Sequence, residues 1–153
     1  MTDNAIHHYM TLTRSPLLLV PVIEAFFREL PKKEKSILLG YLVLPIVLYP
    51  SAKNFLVRAI ATSSMRTFCT ERERLAGLPQ RVQELREVSN LAMQNSIACG
   101  RLSLCDDLSI QVEAMDQLDT LLRDEIKAAK RLAQFLEPYD VPTVYRLLGV
   151  KNL

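Results

Sequence analysis

The chain has 153 residues, of which 49% are apolar, and its formal net charge is +2. This length fits a single domain, and the apolar fraction supports a buried core and argues against disorder of the whole chain. The small charge argues against a nucleic-acid-binding protein as a class, because such proteins usually carry a dense patch of lysine and arginine.

The N-terminal part of the chain is polar up to residue 13 and apolar after it. Residues 1–13 are predicted to be flexible, and residues 14–153 to form one helical domain. Ser15 and Pro16 are typical of a helix start, but Pro21 interrupts it, because proline lacks the backbone N–H that a helix interior needs. The regular part of this helix is therefore predicted at Val22–Leu30.

The run ILLGYLVLPIVLYP at Ile37–Pro50 contains no charge, so it is a candidate for either a membrane span or a buried core. Its fourteen residues would span about 21 Å as a helix, which is short of the roughly 30 Å hydrocarbon core of a bilayer. Pro45 would also leave a backbone carbonyl without a partner in lipid. The run therefore predicts a buried helix from Ser36 to Leu44, broken before Pro45, in a cytoplasmic protein that does not enter a membrane.

Serine, proline and glycine residues mark the helices in the middle of the chain. Ser51 is predicted to cap a helix, and a break at residues 62–64 separates it from a helix over Met65–Leu75. Pro79 opens a longer helix that runs to about Cys99 and stops at Gly100. The side chains predicted to face the core in the first and third of these helices are Phe55, Leu56, Ala59 and Ile60, and then Val82, Leu85, Val88, Leu91 and Ala92.

The segment after Gly100 is predicted to be a hairpin. Apolar and polar residues alternate within Arg101–Val112, with Asp106 and Asp107 as the turn. A helix followed by a hairpin is also the order of a winged helix, with Arg81–Cys99 as the recognition helix, so a winged-helix-like second half stays an open alternative. The acids at the wing tip would repel phosphate and argue against direct reading of DNA.

The last part of the chain is predicted to hold a long helix and a short one. Glu113–Leu136 carries apolar residues every three or four positions, which is typical of an amphipathic helix. Pro142 and Gly149 bound a short helix at Thr143–Leu148. The acids of the long helix are predicted to lie on its surface: Asp116, Asp119, Asp124 and Glu125. Together the elements predict a mainly α, compact helical domain with one small β-hairpin.

The sequence contains none of the common motifs of catalysis or phosphate binding. The patterns GxxxxGK[ST], GxGxxG, GxSxG and HExxH are absent. Three scattered cysteines, Cys69, Cys99 and Cys105, indicate reduced, buried thiols rather than disulfides or a zinc site. The adjacent His7 and His8 point apart and make a poor metal site. We therefore expect a chain that has no cofactor, no metal and no enzymatic activity of its own.

Three segments in this order resemble a known family. They are SP…LLL…FF at Ser15–Phe27, LLGYLVLPIVLYPSAKNFL at Leu38–Leu56 and TVYRLLGV at Thr143–Val150. With them the chain resembles the middle component of bacterial three-component ABC-ATPase systems. Within that group it is most similar to the small subunit of Lamassu-type defence complexes, and the resemblance spans most of the chain.

The resemblance implies a non-catalytic scaffold subunit. Such systems join an SMC-like ATPase, which has a head and long coiled-coil arms, to an effector that is often a nuclease. The middle component docks at the ATPase heads and helps to hold the effector, and the systems defend bacteria against phages or plasmids. The implied partners are therefore the ATPase and the effector, with DNA contact, indirect or non-specific, only within the complex.

The resemblance assigns no binding residue, so one candidate surface rests on the C-terminal residues themselves. These are Tyr145, Leu147, Leu148 and Val150. They either fold back onto the core or insert into a groove of a partner. Under the second alternative, Leu148→Asp removes binding to the ATPase and preserves folding.

Four arginines are candidates for DNA contact beside the ATPase heads: Arg72, Arg74, Arg81 and Arg86. The alternative is that they belong to a solvated face of mixed charge. Two other functions stay open from the residues alone. One is a winged-helix DNA-binding regulator, and the other is a small enzyme with an unrecognised site.

Overall fold

The computed structural model describes residues 15–113 and 122–153, so the predicted flexible segment at residues 1–13 lies outside the described part. Within that part the chain is mainly helical with one two-stranded antiparallel sheet, which confirms the predicted fold class. The elements in chain order are α1 (Pro16–Glu29), α2 (Ile37–Val47), α3 (Pro50–Arg58), α4 (Met65–Thr70), α5 (Arg72–Leu75), α6 (Leu78–Ala98), β1 (Leu102–Leu104), β2 (Ile110–Val112), α7 (Arg123–Leu136) and α8 (Val141–Leu148).

Helix α1 begins earlier than predicted, because Pro21 lies inside it instead of interrupting it. Proline deprives the carbonyl four residues earlier of its helical donor, and here that carbonyl belongs to Leu17, whose exposed fraction is 65%. Water can therefore satisfy the carbonyl. Beyond Pro21 the helix is almost wholly buried, and Phe26 is fully so.

Helix α2 also continues through its proline, so the prediction of a break before Pro45 was wrong. Pro45 removes the donor for one helical hydrogen bond, the one to the carbonyl of Tyr41. The residues around it, Leu42–Val47, are buried. Burial of one such side chain stabilises by about 1.5–3 kcal/mol, so several together exceed the proline cost of about 3 kcal/mol. The predicted burial of this apolar run is confirmed.

The helix predicted over Met65–Leu75 is two short helices, α4 and α5, separated at Glu71, whose backbone is extended. Ser64 and Thr67 form a reciprocal capping box that starts α4. Arg74 turns back and donates from Nη1 to the carbonyls of Thr67 and Phe68, at 3.0 and 3.2 Å. This guanidinium closes the end of α4, which explains why the chain bends there.

Two side chains predicted to face the core are on the surface instead. Ile60 follows the end of α3 and is 65% exposed, and Leu91 is 44% exposed on α6. The other inward predictions in these two helices are buried or half-buried. An apolar residue at the edge of a helical stripe can face either way, and only the neighbouring helices decide which.

The hairpin is confirmed, and its turn is attached to the helical body. Strands β1 and β2 pair with Leu102 opposite Val112 and Leu104 opposite Ile110. The carbonyls of Asp107 and Leu108 accept hydrogen bonds from the backbone N–H groups of Lys35 and Ile37, at 3.0 and 3.1 Å. Ser36 then accepts from the N–H of Ile110 at 2.9 Å. The tip that a winged helix would extend towards DNA therefore lies against the start of α2.

Helix α1 lies at the centre, against both long helices, α6 and α7, and against α2. Helix α3 packs on α7 as well. The long amphipathic helix predicted over Glu113–Leu136 is described from Arg123 onwards, and the predicted core residues Met115, Leu118 and Leu121 lie outside the described residues. Among its acids, Asp124 is exposed as predicted, but Glu125 is buried.

The membrane alternative requires a helix that is long and apolar enough to cross a bilayer. None of the helices that the structure describes is by itself both long and apolar enough to do so. Helices α2 and α3 would together be long and apolar enough, but the chain bends by 100° between them.

Candidate interaction surfaces

The C-terminal helix α8 is held by side-chain and backbone caps at its two ends. Asp140 accepts a hydrogen bond from the N–H of Thr143 at 3.0 Å, and Gly149 ends the helix in the left-handed conformation, φ +70°. The hydroxyl and the N–H of Thr143 hold the pKa of Asp140 below its usual value. This cap fixes the direction in which α8 leaves the end of α7.

The four C-terminal candidates for partner binding do not lie on one surface. Leu148 and Val150 are core residues with exposed fractions of 3% and 4%. Tyr145 is half-buried and donates its hydroxyl to the carbonyl of Leu38, and burial raises its pKa above the usual range. Leu147 is 42% exposed. The helix therefore folds back onto the core, and of the four residues it presents chiefly Leu147 to a partner.

Leu147 borders an apolar groove of about 340 Å³ between α4 and α8. Its floor is formed by Met65 and Cys69 of α4, and its far wall by Tyr139. The remaining lining residues, Arg66 and Thr70, are polar. An apolar centre with a polar rim is the usual composition of a protein interface.

The groove is rigid on the Tyr139 side because a lysine holds the turn before α8. The ammonium of Lys33 donates to the carbonyls of Leu136 at 2.8 Å, Glu137 at 3.0 Å and Tyr139 at 2.5 Å. Desolvation lowers the pKa of Lys33, although the carboxylates of Glu137 and Asp140 act in the opposite direction. These carbonyls end α7, where a positive charge is favourable.

The groove suits an apolar side chain better than a reaction. Burial raises the pKa of the Cys69 thiol, so less of it is present as the reactive thiolate. All three cysteines are free thiols, but Cys99 is exposed and Cys105 half-buried, so the prediction that the thiols are buried was wrong. The groove residues Met65, Cys69 and Tyr139 were missed from the sequence because they are distant along the chain and only the fold brings them together.

The arginines predicted to contact DNA separate into two structural and two exposed residues. Arg81 donates to the carbonyls of Pro45 and Ala76, and its guanidinium lies 3.8 Å from the ring centre of Tyr49. Arg74 caps α4 as described above and stacks on a phenylalanine ring. Arg72 and Arg86 are exposed. Arg74 and Arg81 therefore carry contacts that stabilise the fold.

The buried acids of the described residues are Glu24 and Glu125, and each has a polar or charged partner within the fold. Ser96 donates to Oε1 of Glu24 at 2.5 Å, and Arg101 lies 3.5 Å from the same oxygen. Glu125 pairs with Lys53 at 3.4 Å between α3 and α7. Within residues 15–113 and 122–153, no group of three His, Cys, Asp or Glu side chains is arranged to hold a metal ion.

Comparison with known proteins identifies one family model that matches the chain. Its description is "ABC-three component (ABC-3C) system Middle Component 3", and the match covers residues 3–152. No curated protein and no solved structure gives a significant match.

Proposed function

The chain belongs to the Middle Component 3 family of ABC-three component systems, and on that premise we propose that it is a non-catalytic scaffold subunit. In this proposal it docks on an SMC-like ATPase and holds a nuclease-type effector against it. The complex defends bacteria against phages or plasmids. Membership of a middle-component family itself implies partner subunits, and the proposal adds their identity and the connecting role.

The observation that supports the scaffold role most directly is the apolar groove beside Leu147. A side chain of a partner that enters it would cover Leu147 and contact Met65 and Tyr139, which line the same space. Lys33 already holds one wall in place, so little ordering is needed on binding. We assign this groove to the ATPase subunit.

The test of this assignment is Leu147→Asp. Leu147 is 42% exposed, so the carboxylate can reach water in the free chain. Folding is expected to be preserved at a cost of about 2 kcal/mol from lost apolar burial, helix propensity and the helix dipole. In the complex the same carboxylate would lie in an apolar groove without a partner. We expect Leu147→Asp to lose co-purification with the ATPase at least tenfold.

The matched control is Leu91→Asp, which makes the same change at a leucine of similar exposure, 44%, on α6. Thermal unfolding of both variants reports whether folding is preserved. Equal retention of the ATPase by the two folded variants would rule out the groove as its docking site. Equal loss would indicate a general effect of the added charge and would contradict the assignment as well.

A further inference from the structure

One face of α7 carries a row of cations that the proposed function does not use. Arg123, Lys127, Lys130 and Arg131 are spaced by four, three and one residues, which places them on one side of the helix. The opposite side of the helix is buried in the core. We propose that this row, with Arg58 at the end of α3, is a binding surface for the phosphate backbone of a nucleic acid.

Arg131 joins the row to α3. Its Nη2 donates to the carbonyl of Ala59 at 3.3 Å, and its Nη1 donates to the amide oxygen of Gln134 at 3.2 Å. Ala59 follows the last residue of α3, so this bond brings the exposed side chain of Arg58 next to the row. Arg131 is thus a positioning residue, and the cations that remain available for a ligand are Arg123, Lys127, Lys130 and Arg58.

A polar pocket extends this basic surface on the other side of Arg58. It has a volume of about 540 Å³ and is open to solvent. Arg58 and Arg74 both line it, and the guanidinium of Arg74 is held 4.0 Å from the ring centre of Phe55. The other lining residues are an acid, Glu73, three small polar residues and three apolar ones: Ser51, Asn54 and Ser63, and Pro50, Phe55 and Ala59. Arg74 is held in place and Arg58 is exposed beside it, and two guanidiniums in one pocket can bind phosphate oxygens.

Within residues 15–113 and 122–153, no ion pair involves the cations of this surface, and the exposed Asp124 is the acid next to Arg123 on α7. The ion pair of the region joins Lys53 to the buried Glu125, and it involves neither Arg58 nor Lys127 nor Lys130. The positive charge is therefore offered to solvent. A local patch of this kind can bind a polyanion although the whole chain has a formal charge of only +2.

The shape and composition of the surface favour a nucleic acid over an acidic protein. Arg123 and Arg131 are about 12 Å apart along the helix axis, and duplex DNA presents about seven phosphate charges over that length. The row itself has no apolar centre, which the core of a protein interface usually has. The one large apolar side chain beside it in the described part is Ile60, and this residue allows the two alternatives to be separated.

The test uses the full chain and a fluorescent duplex of mixed sequence, titrated at several salt concentrations. Lys127→Glu with Lys130→Glu is expected to weaken binding at least tenfold at low salt. It should also reduce the slope of log K against log salt by about 2, because each phosphate contact contributes about 0.9. The matched control, Lys32→Glu with Lys151→Glu, makes the same lysine-to-glutamate changes at exposed residues elsewhere. It is expected to change binding less than twofold.

Each further outcome has a defined meaning. Equal weakening by the two double variants, or no binding of the duplex by the wild-type chain, would overturn the proposal. Tighter binding of polyglutamate than of the duplex, weakened by Ile60→Ser, would assign the surface to an acidic protein instead. If Lys127→Glu with Lys130→Glu lowers the thermal transition, Lys127→Gln with Lys130→Gln replaces it, and the slope must still fall. The result does not depend on whether the groove at Leu147 binds the ATPase.

Discussion

Replacing Leu148 by aspartate is expected to abolish the folded state. Leu148 is 3% exposed and belongs to the core together with Val144 and Val150. The substitution removes about 1.5–3 kcal/mol of apolar burial and adds several kcal/mol for a carboxyl group without a partner. A domain of this size is stabilised by only about 5–15 kcal/mol in total. Circular dichroism during heating and urea titration measures the loss.

Two further variants show whether the loss comes from burial. Leu148→Met conserves volume and is expected to cost less than about 1.5 kcal/mol. Leu147→Asp, one residue earlier on the exposed side of α8, is expected to keep the thermal transition. A normal transition in Leu148→Asp would mean that α8 does not pack on the core. The C-terminal residues would then be available to insert into a groove of a partner, which is the second alternative that the sequence left open.

Gly40→Leu is expected to destabilise the fold by overpacking the core. Gly40 lies in the buried α2, where α1 and α6 come close to the backbone. A Cβ at this position would overlap the sulfur of Met93 and lie 3.1 Å from Cζ of Phe27. Both neighbours are buried and cannot move into solvent. Overpacking of this kind costs about 1–3 kcal/mol or more, and the better helix propensity of leucine offsets only about 1 kcal/mol.

A double-mutant cycle with Met93→Ala tests the packing argument. Met93→Ala alone is expected to cost about 2–5 kcal/mol, because it leaves a cavity. In the double variant, the leucine at position 40 fills part of that cavity, so the free energies of unfolding should not be additive, with a coupling of about 1–3 kcal/mol. Additive free energies from urea denaturation would show that Gly40 and Met93 do not compete for the same space.

Much of the fold follows from local signals in the sequence. Pro16, Pro79 and Pro142 occur in the first turn of helices, and Gly149 ends one in the left-handed conformation, so the prolines and this glycine place those helix ends correctly. Alternation of polar and apolar residues identified the hairpin. These signals act within a few residues, which is why one sequence is enough to detect them.

The errors arose where distant residues decide the outcome. Pro45 is tolerated because the residues around it are buried by other helices, and Glu125 is buried because Lys53 pairs with it from another helix. Lys33 caps the end of a helix that is more than 100 residues later in the chain. No spacing within one helix contains this information.

The candidate surfaces show the same division. The sequence left open whether the C-terminal helix packs or binds, and only the packing of the fold separates Leu147 from Leu148. The cations of α7 are visible in the sequence as one helical face. Their continuation through Arg58 depends on the bond between Arg131 and Ala59, which joins residues 72 positions apart.

The central claim is that this chain connects the two other components of its system, and co-expression with and without it tests that claim most directly. The proposed ATPase and effector of its system are produced together, with a tag on the ATPase alone. We predict that the effector is retained with the ATPase when the wild-type chain is present and is lost when the chain is omitted or carries Leu147→Asp. Retention of the effector in equal amount without the chain would contradict the account.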